Sequence, residues 1–237
     1  MTFIAFPSPL TPAQFVSREK RFTIHCHVQG ERAQAHTNNS GSMRGLLRPG
    51  MPILLSHASS KQRKLPYTLE LVRPTDLWIG VNTAVPGQML RQAVAEGSIP
   101  EFTGYHHLQA EVRHGASRLD FVLRGPAGTL WVETKNVTLA EKGLALFPDA
   151  VTARGAKHLD ELTSMAHSGH AVAVFFAIQR TDCHAFGPAA HIDPHFTRSF
   201  YTALHAGVRM LAYVLEPSPQ GIRLGTSLPI LSHPELP

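Results

Sequence analysis

Two side chains of opposite charge lie two residues apart in the apolar segment LWVETKN, residues 130–136: Glu133 and Lys135. Side chains two apart in an extended strand point to the same face. The carboxylate and the ammonium group are therefore predicted to be neighbours on a strand whose other residues are buried. A carboxylate binds divalent cations, and a lysine beside it can orient an attacking water or stabilise charge developing on a phosphate.

A second carboxylate, Asp120, begins the preceding strand candidate RLDFVL, residues 118–123. If the two strands form a hairpin, Asp120 approaches Glu133 and Lys135. Two carboxylates and the intervening carbonyl of Thr134 would form an oxygen-rich site suited to Mg²⁺ or Mn²⁺. Glu111 is a further candidate metal ligand. This is the D-x(n)-E-x-K pattern of metal-dependent nucleases; the alternative is a surface ion pair on an edge strand, worth at most about 1 kcal/mol.

A helix is predicted over TARGAKHLDELTSMAHSG, residues 152–169, with an apolar stripe on one side. Arg154, Lys157, His158 and Glu161 fall together on the opposite face. That face would hold phosphate in a nuclease-like domain, and would be an ordinary solvated helix face otherwise.

The elements that must position these residues divide the chain in two. Residues 14–82 read as short strands broken by turns, which favours a small barrel or sandwich such as the five-stranded oligonucleotide-binding (OB) barrel. Residues 83–237 read as α-β-β-β-α-β-α-β, which indicates an α/β domain with a mixed sheet. We therefore expect domains at 1–82 and 83–237.

The basic residues concentrate in the first part. Residues 1–82 hold ten Lys and Arg against four Asp and Glu, and residues 83–237 hold twelve against thirteen. Few aromatic residues accompany these cations, so binding to the nucleic-acid backbone without sequence specificity fits better than base reading. Charge reversal at Lys61, Arg63 and Lys64 is expected to weaken DNA binding. The candidate contacts are Lys20, Arg21, Arg44, Lys61, Arg63, Lys64, Arg118, Arg154, Lys157 and His158.

Other classes of protein find little support. No apolar run reaches the about 20 residues that cross a bilayer, and no signal peptide is evident. The two cysteines are far apart, which gives no disulfide framework and fits a cytoplasmic protein. The sequence has no phosphate-binding loop of the Gly-x-x-x-x-Gly-Lys type and no serine-hydrolase elbow. Its histidines lack the partners of a zinc motif.

Several stretches together resemble the sugar fermentation stimulation protein A family of DNA-binding proteins. They include NSGSMRGLLRPG, VNTAVPGQML, SRLDFVL, VETKNVTLAEKGLALFPDAVTARGAKHLDEL and HIDP. The resemblance implies an N-terminal OB-fold barrel and a C-terminal PD-(D/E)XK nuclease-like domain. It places the nuclease motif on Asp120, Glu133 and Lys135, and a helix motif on Arg154, Gly155, Lys157 and His158. At Asn38, family members commonly have proline instead.

Two hypotheses follow. In the first, the protein binds DNA and its second domain is a Mg²⁺- or Mn²⁺-dependent nuclease. Asp120 and Glu133 would hold the metal, Lys135 would position water, and Arg154 and Lys157 would grip phosphate. In the second, the protein is a non-catalytic DNA-binding regulator, as the family's proposed link to maltose metabolism implies. Single-stranded DNA, double-stranded DNA and RNA are all open as partners.

Overall fold

The computed structural model describes residues 2–58, 64–114 and 117–232. The first strand, β1 (Phe3–Ala5), belongs to the second domain's sheet. The strands of the first domain then follow in chain order: β2 (Thr11–Glu19), β3 (Thr23–Val28), β4 (Glu31–His36), β5 (Pro52–His57), β6 (Tyr67–Val72) and the short β7 (Ile79–Gly80).

Strands β2 to β6 form a closed five-stranded barrel. Strand β3 lies between β2 and β4, β2 pairs with β5, and β5 pairs with β6. A parallel pairing of β4 with β6 closes the barrel, which leaves no long unpaired edge. Buried apolar side chains, among them Phe15, Ile24, Leu55 and Leu69, fill its interior. The predicted barrel is confirmed.

Residues 11–28 form a hairpin of two strands. Strands β2 and β3 are joined by a turn at Lys20–Phe22, so the basic segment REKRF, residues 18–22, forms the end of this hairpin. Lys20 and Arg21 both have left-handed backbone conformations, with φ of 47° and 65°. Such values are uncommon outside glycine, so neighbouring groups must hold this turn.

The second domain is a mixed sheet with helices on both faces, as predicted. Its elements are α1 (Val85–Glu96), β8 (His107–His114), β9 (Ser117–Gly125), β10 (Gly128–Val137), β11 (Leu139–Glu141), β12 (Leu144–Phe147), α2 (Ala153–His167), β13 (Ala171–Ile178), β14 (Ala185–Pro188), α3 (Pro194–His205), β15 (Arg209–Ser218) and β16 (Gly221–Ser227). The large sheet has the order β1-β16-β15-β13-β10-β9-β8, with β10, β13 and β15 parallel. Helix α1 covers one face, and α2 and α3 cover the other. Strand β13 therefore lies at the centre, which explains why AVAVFFAI is apolar throughout.

Asp193 joins the starts of α2 and α3. Its Oδ1 accepts a hydrogen bond from the backbone N of Phe196, 2.9 Å away, in the first turn of α3. Its Oδ2 accepts one from the backbone N of Thr152 at 2.8 Å, and the Thr152 hydroxyl in turn caps α2 at Gly155. The carboxylate is 3% exposed. One buried side chain thus fixes where both helices begin.

Two features were not predicted. Strands β11, β12 and β14 form a separate small sheet beside the large one. Strand β1 pairs with β16, so residues 3–5 lie in the second domain's sheet although they precede the barrel. Within the described part of the chain, no helix has the length and apolar character needed to cross a membrane.

Candidate active site

A cleft of about 950 Å³ lies between the barrel and the α/β domain. The α/β domain supplies Asp120, Glu133 and Lys135 from the sheet and Arg154 and His158 from α2. The barrel supplies the opposite wall, with Arg18, Arg21 and the loop 39–42. The cleft therefore brings together the predicted nuclease motif, part of the predicted helix motif and part of the basic first domain.

Asp120 lies where strands β9 and β10 separate. Their antiparallel ladder ends at the pair Phe121–Val132, one step before Asp120 and Glu133 would face each other. Beyond that point the Asp120 carboxylate takes the place of the backbone hydrogen bonds that β9 no longer makes with β10. Its Oδ2 accepts hydrogen bonds from the backbone N of Thr134 at 2.8 Å and from the Thr134 hydroxyl at 2.7 Å. The carboxylate is thereby fixed against β10, beside Glu133.

The backbone carbonyl of Thr134 faces the same gap. In an antiparallel ladder the N–H and C=O of one residue point to the same neighbouring strand. Because the N–H of Thr134 points to Asp120, its carbonyl also points towards the β9 side, where no ladder partner remains. Asp120, Glu133 and the Thr134 carbonyl therefore lie just beyond the point where the β9–β10 pairing stops.

Glu133 and Lys135 share one face of β10, as their spacing predicted. Lys135 Nζ donates to Glu133 Oε1 at 2.5 Å. His158 Nδ1, from α2, lies 2.5 Å from the same oxygen; since a carboxylate only accepts, the imidazole donates. The Glu133 side chain is 3% exposed, and its second oxygen, Oε2, is buried without a hydrogen-bond partner.

The environment favours the charged form of Glu133. Burial alone raises the pKa of a carboxyl group, but the hydrogen bond from His158 and the charge of Lys135 outweigh it. The pKa of Glu133 is consequently below its ordinary value. Glu133 is thus a buried carboxylate with one oxygen bound by two donors and the other oxygen bare.

This donor set fits a hard divalent cation. A buried carboxylate oxygen without a partner is costly unless something outside the chain satisfies it. Among the residues that the structure describes, no three His, Cys, Asp or Glu side chains converge on one point. Mg²⁺ is commonly held by one or two carboxylates, with waters and substrate phosphate completing its shell. Asp120 and Glu133 match that smaller requirement.

Helix α2 brings only part of its predicted face to the cleft. Arg154 and His158 line it, and Arg154 Nε lies 3.4 Å from His158 Nε2. Lys157 is exposed and forms an ion pair with Glu161 at 3.7 Å, away from the cleft lining. Gly155 is required by packing, since a Cβ there would lie 2.8 Å from Cγ2 of Thr152.

Arg18 and Asp149 are site residues that sequence reasoning missed. Arg18 is not among the predicted contacts, yet its guanidinium donates to the carbonyls of Asn39 at 2.6 Å and Gly41 at 2.9 Å. Asp149 Oδ2 accepts from the backbone N of Met43 at 2.8 Å. Burial lowers the pKa of Arg18, while the charge of Asp149 opposes that shift. Asp149 lies in a motif that carries the family resemblance, which was the available signal for it.

Other predicted residues lie away from the cleft lining. Lys20 is exposed beside Glu19, and Arg44 and Lys64 are exposed. Glu111 has a φ of 59° and forms an ion pair with Arg118, with both side chains more than half exposed. Glu111 therefore does not join Asp120 and Glu133. Lys61 and Arg63 lie outside the described residues.

A hydrogen-bond network holds the two domains together behind the cleft. Asn38 Nδ2 donates to Asn82 Oδ1 at 2.6 Å, and Asn82 Nδ2 donates to Glu70 Oε2 at 2.8 Å. The fully buried Gln179 donates to the carbonyl of Asn82 at 3.1 Å and also bonds to Asn136, the residue after Lys135. The barrel wall is thereby connected to the strand that carries the acidic residues.

Family models match both domains. The model described as "SfsA N-terminal OB domain" matches residues 16–81. The model described as "Sugar fermentation stimulation protein RE domain" matches residues 84–221. The two matched ranges meet where the charge balance of the sequence changes.

Proteins similar to this chain cover almost its whole length. A sugar fermentation stimulation protein homolog from Syntrophobacter fumaroxidans is 49% identical over 230 residues, covering 97% of this chain and 88% of that protein. The homolog from Maridesulfovibrio salexigens is 48% identical and covers 96% of each chain. Among solved structures, Pyrococcus furiosus SfsA in complex with Ca²⁺ matches with a TM-score of 0.91 and 26% identity, covering 98% of this chain and 99% of that one.

Proposed function

Because the chain belongs to the sugar fermentation stimulation protein family, we propose that it binds DNA without sequence specificity and hydrolyses phosphodiester bonds with a divalent cation, Mg²⁺ or Mn²⁺. The observation that carries the proposal is the bare, buried Oε2 of Glu133 beside Asp120 and Lys135 in one cleft. A groove that only held DNA would have little use for such an oxygen.

Each residue of the cleft would have a distinct role in the proposed hydrolysis. Asp120 and Glu133 would hold the cation, which when bound supplies a Lewis acid for the phosphate oxygen and activates water. Lys135, 13% exposed, forms an ion pair that keeps Glu133 charged, and would orient the attacking water. Arg154, exposed at the cleft, would hold a phosphate of the strand. His158 fixes the Glu133 carboxylate from the helix side.

A related protein supports the use of a divalent cation. The structure of the Pyrococcus furiosus member is described as a complex with Ca²⁺. Ca²⁺ and Mg²⁺ both prefer oxygen ligands, and differ in size and coordination number. At 26% identity and a TM-score of 0.91, that protein has the same fold over nearly the whole chain. We extend divalent-cation binding to this chain on that basis and on its own carboxylates.

Cleavage assays with matched variants test the proposal. End-labelled single- and double-stranded DNA is incubated with the protein and Mg²⁺, Mn²⁺ or EDTA. Glu133→Gln and Asp120→Asn are expected to lower the rate by about 100-fold or more, the usual effect of removing one group that stabilises the transition state. Glu216→Gln, which alters an exposed acid on β15, is the matched control and should cleave normally. Cleavage that persists in EDTA, or in both site variants, would refute a metal-dependent site here.

A non-catalytic DNA-binding regulator is the second candidate. The observation that favours it is the pairing of Glu133 with both Lys135 and His158, which neutralises the carboxylate without any cation. In that case binding should depend on the cleft arginines and on salt, because each phosphate contact releases counterions. DNA binding with a steep salt dependence, and no cleavage with any metal or substrate, would select this candidate.

A further inference from the structure

Phe22 is a large apolar side chain exposed at the end of the first barrel hairpin. It is 43% exposed. Its ring stacks on the imidazole of His36, with centroids 6.2 Å apart and planes inclined by 26°. The preceding residue, Arg21, lines the cleft that contains Glu133. The ring of Phe22 is therefore next to a cation, Arg21, which in turn lines the proposed active site.

Exposure alone would not distinguish Phe22. Single exposed apolar side chains are normal on proteins, and Phe3 and Val16 are exposed to a similar degree. Phe22 differs in what surrounds it, because it adjoins Lys20 and Arg21 on one turn. Val151, 75% exposed, is an apolar residue that lines the cleft from the other domain.

The turn that presents Phe22 is held firmly. The Phe22 carbonyl accepts from the backbone N of Thr37 at 2.9 Å, and its own N donates to the carbonyl of Lys20 at 2.8 Å. Arg18 Nε donates to the carbonyl of Arg21 at 2.6 Å. These bonds hold Lys20 and Arg21 in left-handed conformations that side chains disfavour. A ring on a fixed turn loses little freedom when a ligand covers it.

We propose that Phe22, backed by His36, is a stacking platform for an unpaired base, and that Arg21 directs the backbone of that strand into the cleft. The ligand is therefore single-stranded nucleic acid. Base stacking on aromatic rings beside backbone-following cations is how sequence-independent single-strand binding works. A cleft of about 950 Å³ also suits a short length of one strand better than the body of a duplex. The inference rests on the proposed function in that the cleft must receive nucleic acid.

Binding measurements in EDTA test the platform separately from cleavage. Fluorescence anisotropy is measured with a labelled oligothymidine strand and with a blunt duplex. Phe22→Ala is expected to weaken single-strand binding by about 5- to 100-fold, the effect of losing one stacked base. Duplex affinity should change by less than about twofold, since paired bases cannot reach the ring. Phe3→Ala removes an exposed phenylalanine from β1 and is the matched control.

Two further readouts separate stacking from a change in fold. Phe22→Trp should retain binding, and its added fluorescence should be quenched by the single strand. An abasic strand should bind the natural protein and Phe22→Ala equally, because no base is present to stack. Equal losses on single strand and duplex, or no loss on either, would overturn the platform. Since no metal is present, a protein that binds DNA but never cleaves it would still give the expected binding result, so failure of the platform can be told apart from failure of cleavage.

Discussion

Glu133 combines burial with two donors on one oxygen, and this has a consequence for stability. The pKa of its carboxyl group lies below the ordinary value of 4.5, mainly because the His158 hydrogen bond and the Lys135 charge overcome the effect of burial. The folded protein therefore binds this proton less readily than the unfolded chain. Such a group stabilises the fold at pH values above the unfolded pKa, and the contribution is lost as pH falls through the folded pKa.

We therefore expect the difference in free energy of unfolding between the natural protein and Glu133→Gln to depend on pH. The excess stability of the natural protein over the variant should be constant near neutral pH and should decline as the pH is lowered below about 4.5. Denaturant unfolding followed from neutral pH to about pH 3 measures it. Glu216→Gln serves as the comparison at an exposed site. A difference that grew on acidification would contradict the assigned direction of the shift.

At the scale of elements, Asp193 fixes where α2 and α3 begin. Loss of its carboxylate removes the cap of α3 and the bond to Thr152 at once. A helix cap contributes about 0.5–2 kcal/mol, and a hydrogen bond to a charged group about 1.5–3 kcal/mol. Asp193→Ala should therefore lower the free energy of unfolding by about 2–4 kcal/mol.

Denaturant midpoints of matched variants check this expectation. Asp160→Ala, at an exposed position within α2, should change stability by less than about 0.5 kcal/mol. Because α2 carries Arg154 and His158, Asp193→Ala should also reduce DNA cleavage at temperatures where the protein remains folded. An Asp193→Ala protein as stable as Asp160→Ala would mean that other contacts fix the two helices.

Local periodicity predicted most of the helices and strands, and with them the pairing of Glu133 with Lys135. The spacing of two placed Glu133 and Lys135 together, and an uninterrupted apolar run identified the central strand β13. The contact of Asp149 with Met43 joins residues 106 positions apart, and no local pattern encodes it. The pairing of β1 with β16 is of the same kind. Sequence periodicity reports which face of an element is buried, but not which distant loop covers it.

At the scale of the whole molecule, the site depends on how the barrel docks. Gly80 ends β7 against Gln179, and its N donates to the Gln179 carbonyl at 3.0 Å. A Cβ at Gly80 would overlap Oε1 of the fully buried Gln179 side chain, whose Nε2 donates to Asn82 and to Asn136. Gly80→Ala should therefore displace the barrel from the α/β domain and cost about 1–3 kcal/mol, as overpacking does.

Calorimetry of three variants tests this coupling. Gly80→Ala is expected to broaden or divide the unfolding transition, because two domains that lose their contact unfold more independently. Gly80→Ala combined with Gln179→Ala removes the overlap and should recover part of the single transition relative to Gln179→Ala alone. A single sharp transition in Gly80→Ala, at the unfolding temperature of the natural protein, would show that the interface accommodates the methyl group.

The pairing of β1 with β16 imposes an order on the folding of the protein during its synthesis. Residues 3–5 are synthesised more than 200 residues before their partners at 221–223. At roughly 5–20 residues per second, β1 waits about 10 to 40 seconds for its neighbour. The barrel has ample time to fold in that interval, so it matures as an insertion inside a sheet that is still incomplete. The nascent chain then has a finished barrel before the sheet of its α/β domain is complete.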